Sequence, residues 1–179
     1  MSMIILGIDA SYTRTGIAIS EDGKLKAVKS IKFKGIKGKP AKRANLRAKI
    51  AKYIAAYSPD MIVVERTRQF STGDKSFIAL NMIKTGISLL TTIIDIAYEN
   101  GIPVYSVDTR SWKKVVVGSS KPDKYGNKKQ PTIDYVKTLG FEVYDDDDAA
   151  DAACISLYYD RAKKLYGEAR RTELMKLEE

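Results

Sequence analysis

Residues 4–33, IILGIDASYTRTGIAISEDGKLKAVKSIKF, decide the fold. The opening run Ile4–Asp9 is apolar almost throughout, the pattern of a strand buried on both faces. Residues 15–20 repeat that pattern after a polar turn from Ser11 to Arg14. Asp22-Gly23 is a two-residue pair that tolerates positive φ, and it turns the chain into a third strand at 25–33. Three consecutive strands joined by tight turns make an antiparallel meander.

The pattern then changes period. After a Gly/Lys/Pro loop at 36–40, Leu46, Ile50, Tyr53, Ile54 and Tyr57 recur at helical spacing over 41–57, and Pro59 ends that helix. Met61–Glu65 reads as a short buried strand. Ile83, Ile87, Leu90, Ile94 and Ala97 stripe a long helix over 76–98, closed by Asn100-Gly101. Val104–Val107 is a further strand, and Asp108 is placed to cap a helix running to Val116. A polar loop at 121–130 leads to a helix at 132–139 and then to the last core helix at 148–165. A meander followed by helix crossovers predicts an α/β fold with a five-stranded mixed sheet. Three antiparallel strands stand beside two parallel ones, with helices on both faces. The expected organisation is one domain over 1–165 and a charged C-terminal tail over 166–179.

Composition narrows the chemistry. The 179 residues include no histidine and one cysteine, Cys154. Serine–histidine triads, cysteine–histidine pairs and histidine-ligated zinc are thereby excluded, as is any internal disulfide. Cys154 lies in an apolar helix and reads as core packing. No apolar run approaches the roughly 18 residues of a membrane span, and Met1-Ser2-Met3 lacks the charged lead of a signal peptide. The expectation is an intracellular, cytoplasmic protein with no membrane partner. Its net charge is +9, and residues 24–52 hold twelve lysines and arginines and no acid. A polyanion, most simply nucleic acid, is the partner such a distribution suits.

Four acids stand out by position. Asp9 ends the first strand and Glu65 the fourth. Parallel neighbours would bring those two strand ends to one rim, where open α/β sheets place ligands. Asp148 and Asp151, three apart at the start of the last helix, share one of its faces. Clustered carboxylates must take up protons or bind cations, and oxygen-only ligation suits Mg²⁺, with Mn²⁺ able to substitute. Two such ions per site are a known arrangement for hydrolysing a phosphodiester without imidazole, activating water and stabilising the departing 3′ oxygen. Asp145, Asp146 and Asp147 read as caps or distant screens.

Gly7-Ile8-Asp9 with Thr15-Gly16, Ile62-Val63-Val64-Glu65, and Asp148-Ala149-Ala150-Asp151-Ala152 resemble the three acidic motifs of RuvC-type Holliday junction resolvases of the RNase H-like superfamily. The resemblance runs over about residues 4–165. It implies Asp9, Glu65, Asp148 and Asp151 as catalytic metal ligands, and a homodimer built on the helix at 76–98. It also implies symmetric nicks in branched DNA that leave 5′-phosphate and 3′-hydroxyl ends. Phe70 approximates the family's aromatic that contacts the junction centre, and Arg66 and Arg68 flank it as phosphate contacts. Lys129, with Lys128 beside it in the basic loop that begins at Lys121, corresponds to a lysine near the scissile phosphate. Ala10-Ser11 replaces the Pro-Gly of bacterial members, the 121–129 loop is longer, and the first helix is unusually rich in lysine. These departures suggest a divergent, phage-like member acting on several branched structures, forks included. Another RNase H-like nuclease acting on RNA–DNA hybrids, one lobe of an actin-like ATPase, and a non-catalytic junction-binding protein are the alternatives.

Overall fold

In the computed structural model the described residues are 2–66, 77–123, 125–144, 146–167 and 175–177. The meander is present as β1 (Ile4–Asp9), β2 (Arg14–Glu21) and β3 (Lys24–Lys32). Asp22 and Gly23 both have positive φ, 49° and 72°, as the tight hairpin requires. Thr15 braces the β1–β2 turn: its Oγ1 donates to the Ser11 carbonyl (2.8 Å) and accepts from the Ser11 amide (3.2 Å).

The chain continues through α1 (Lys39–Tyr57), β4 (Met61–Glu65), α2 (Phe77–Glu99), β5 (Val104–Val107), α3 (Thr109–Trp112), a π turn at Lys113–Val117, α4 (Gln130–Thr138) and α5 (Asp147–Tyr166). The sheet order is β3-β2-β1-β4-β5, with β1–β4 and β4–β5 parallel. The predicted mixed sheet is therefore the observed one. A two-residue strand, β6 (Met175–Lys176), adds antiparallel to β5 from within the segment read as a charged tail. The helix expected to run from 109 to 116 is a short α turn that widens into a π turn and ends at Gly118, φ 86°.

Alternation along the strands builds two cores. Leu6, Ile8, Ile62 and Val64 face Leu46, Ile50 and Ile54 of α1 and Leu89, Ile93 and Ile96 of α2. Ile5, Met61, Val63 and Val107 face the other side, where α5, α4 and Trp112 cover them. Cys154 is free and buried in that second core, and burial pushes its thiol well above the usual range.

The packing of α5 is unusually close. A Cβ built on Gly7 would lie 2.4 Å from the Ala152 carbonyl oxygen, and one on Gly16 would lie 1.8 Å from that of Asp148. Both glycines are thus sites where helix main chain rests directly on strand main chain. The buried alanines Ala149, Ala150, Ala152 and Ala153 keep the helix side of the contact equally thin.

This contact gives a stability test. Gly16→Ala is expected to cost about 3 kcal/mol or more through overpacking against backbone, lowering Tm by roughly 6–12 °C for a domain of this size. Gly35→Ala has nothing within 4 Å and is strained only by its φ of +83°, so it should cost about 1 kcal/mol. Circular-dichroism melts of both variants check the difference, and equal melting temperatures would refute the close-contact account.

Candidate active site at the carboxyl ends of the central strands

The parallel register pairs Ile8 with Val64, so the next residues, Asp9 and Glu65, stand side by side at the carboxyl ends of β1 and β4. Their side chains share the sheet face of Ile5 and Val63, which is the face α5 covers. The close contact at Gly16 seats the Asp148 main chain on β2, directly opposite the Asp9 partner in the β1–β2 ladder. Asp151 follows one turn later in α5.

Burial first, then the charges of Glu65, Asp151 and Asp148, raise the Asp9 pKa well above the usual carboxylate range. Asp151 is pushed up to about 7, mainly by burial; Lys113 opposes the rise, while Glu65, Asp147 and Asp148 add to it. Asp151 Oδ1 is buried with no hydrogen-bond partner. An orphaned, desolvated carboxylate oxygen among other carboxylates fits a divalent cation, and every available donor is a hard oxygen. Among the described residues, no three acids are drawn together tightly enough to enclose an ion without rearrangement.

Two sets of contacts explain that spacing. Glu65 is held by neutral donors: Thr109 Oγ1 donates to its Oε1 (2.7 Å) and Trp112 Nε1 to its Oε2 (3.1 Å). Asp148 is held by a cation, since Arg14 Nε donates to its Oδ2 at 2.6 Å. The same guanidinium reaches Asp146 (3.2 Å) and Asp147 (2.6 Å). Asp146 also caps α5, accepting from the Ala149 amide at 3.0 Å, and takes a 2.6 Å bond from Ser30. Asp147 is more than a cap: it pairs with both Arg14 and Lys129, and its charge reaches Asp9 and Asp151. Burial opposes ionisation of Asp147, yet the Lys129 hydrogen bond and charge hold its pKa below the usual range.

Lys129 stands at the edge of the acidic cluster, with its own pKa raised by the Asp147 hydrogen bond and by the charges of Asp147, Asp148 and Asp151. Lys121 and Lys128 are exposed in the preceding loop, and the Lys128 carbonyl accepts from Lys113 Nζ at 3.2 Å. Arg66 extends β4, its amide bonded to the Val107 carbonyl (2.8 Å) and its Nε 3.5 Å from Ser106 Oγ. Arg68 and Phe70 lie outside the described residues. Sequence reasoning missed Arg14, Thr109, Trp112 and Lys113, whose partners are far away along the chain.

No family model matches the chain. It is 28% identical over 159 residues to the crossover junction endodeoxyribonuclease RuvC of Corynebacterium glutamicum, covering 86% of this chain and 67% of that protein. The RuvC of Corynebacterium efficiens is 27% identical over 160 residues, covering 86% of this chain and 66% of that protein. The chain thus spans about two thirds of the length of these relatives. Among solved structures, RuvC of Thermus thermophilus in complex with a Holliday junction superposes with a TM-score of 0.72 at 18% identity, covering 98% of this chain and 99% of that one. In sequence the chain is similar to the crossover junction endodeoxyribonucleases RuvC, and it shares the RNase H-like fold of RuvC of Thermus thermophilus.

Proposed function

We propose that this protein is a metal-dependent endonuclease that nicks four-way DNA junctions, and other branched DNA, inside the cell. The observation that carries the reading is the strand-end position of Asp9 and Glu65 beneath the start of α5, where burial and then the charges of neighbouring acids raise Asp9 and Asp151 and where Asp151 Oδ1 is buried without a hydrogen-bond partner. In a chain without histidine, that arrangement suits Mg²⁺ or Mn²⁺, two per site, held by these four residues. Bound divalent cations supply Lewis-acid activation of water and neutralise charge on the leaving 3′ oxygen.

The chain's own residues do the rest. Thr109 and Trp112 fix the orientation of the Glu65 carboxylate without cancelling its charge. Lys129 and Arg14 flank the acids with positive charge, positioned to meet a phosphate. A homodimer would give each junction two sites. Ile87 and Tyr98, both exposed on α2, are the apolar side chains through which that helix would meet its partner.

The direct test is cleavage of a synthetic four-way junction in Mg²⁺. Asp9→Asn, and separately Glu65→Gln, should lower the rate by about 10³-fold or more, in the range that loss of transition-state charge stabilisation costs. A wild-type chain that cuts RNA–DNA hybrid in preference to the junction would overturn the substrate assignment. Ile87→Glu should convert a dimer to a monomer in sedimentation and replace paired nicks with single ones; a wild type that sediments as a monomer would refute the dimer.

The raised pKa values make a second, independent prediction. A carboxyl raised in the folded state stabilises the fold fully below its unfolded pKa near 4 and loses that contribution as pH rises through its folded value, about 7 for Asp151. Metal-free protein should therefore melt at progressively lower temperature as pH rises through that window, and Mn²⁺ should restore Tm most at the alkaline end, where the ligands are ionised. Melting temperatures that neither fall with pH nor respond to Mn²⁺ would contradict this.

A further inference from the structure

The lysine-rich run at 24–52 is not accounted for by the acidic site, and the structure divides it. Lys26 pairs with Glu21 (2.8 Å) and Arg47 pairs with Glu99, so part of the run is neutralised across elements. Lys32 and Lys34 are exposed and form no ion pair among the described residues. They line an open groove of about 660 Å³ with Arg14, Lys42 and Lys129, and Asp147 and Asp148 line it too. Lys42 is held in place there, donating to the Tyr12 carbonyl (2.9 Å) and lying over the Phe33 ring (5.9 Å). A second hollow of about 410 Å³ shares Arg14 and Lys32 and extends past Lys29. The β2–β3 register pairs Arg14 with Lys32, so the two hollows adjoin there; the second also carries Glu142 and Asp146, which leaves the first as the more basic of the two.

We infer that the first groove carries the phosphate backbone of the DNA arm adjoining the cleaved phosphate, with Lys32 and Lys34 as its principal contacts. The inference rests on the DNA-acting part of the reading above and names a surface that the acidic site does not. An open groove with five cationic side chains, Arg14, Lys32, Lys34, Lys42 and Lys129, suits an extended polyanion. The groove adjoins the acid cluster, since Asp147 and Asp148 are among its lining residues.

The test is salt-dependent binding of the full chain to a fluorescent four-way junction without divalent ions. Lys32→Gln/Lys34→Gln is compared with Lys49→Gln/Lys52→Gln, which removes the same charge from exposed positions on α1 outside the groove. Circular dichroism confirms that both variants fold. The groove pair should weaken binding by about tenfold or more and reduce the slope of log K against log salt by about 1.8, the counterion release of two phosphate contacts. The control pair should change affinity less than about threefold. Equal losses in the two variants, or wild-type binding by the groove variant of a chain that cleaves junctions, would overturn the groove assignment and leave the nuclease reading standing. A wild type that binds through Lys32 and Lys34 yet never cleaves in Mg²⁺ would support the groove and sink the nuclease.

Discussion

The contact between the α5 main chain and the main chain of β1 and β2 is the constraint from which the site follows. Gly7 and Gly16 remove the side chains that would hold helix and sheet apart, and the alanines from Ala149 to Ala153 do the same from the helix side. Backbone resting on backbone fixes the height of the helix above the sheet far more sharply than interdigitated side chains do. Asp148 and Asp151 therefore reach the rim occupied by Asp9 and Glu65 because of where the helix axis lies, not because of a chosen rotamer. Lifting the helix by one methyl group would withdraw two acids from the other two together.

That same approach creates an electrostatic problem, and the chain resolves it unevenly. The N-terminus of α5 favours negative charge, and Arg14 and Lys129 neutralise Asp146, Asp147 and Asp148 at its edge. Deeper in, Asp9 and Asp151 meet burial and neighbouring acids, with Lys113 the cation that acts on Asp151. The interior acids are thus pushed towards their protonated form, while those at the margin are balanced by cationic side chains.

Much of this was legible in the sequence because the strongest signals are local. Each of β1 and β4 is a short apolar run that ends in an acid, and the change from period two to helical spacing marks where the meander stops. The α5 acids share a face by their spacing alone. What escaped reading was the set of partners joined only by the fold: Arg14 reaches Asp148 across 134 positions, and Trp112 reaches Glu65 across 47. The basic run misled in a similar way, since its freedom from acids along the chain concealed the pairs that Lys26 and Arg47 make with Glu21 and Glu99. Gly16 was legible as part of a motif, but its physical reason, the Asp148 carbonyl above it, belongs to the tertiary structure.

The different supports given to Glu65 and Asp148 carry the last step. A hydroxyl and an indole N–H orient the Glu65 carboxyl group without bringing an opposing charge to it. A guanidinium orients and also cancels, so any cation that takes Asp148 competes with Arg14 for the same oxygen. Arg14 already holds Asp146 and Asp147 as well, and release of Asp148 would cost it one of three carboxylate partners, not all of them. The crowding of Asp146 and Asp147 beside the site, which in the sequence looks like redundant helix capping, keeps that guanidinium anchored at the edge where the basic groove meets the acids.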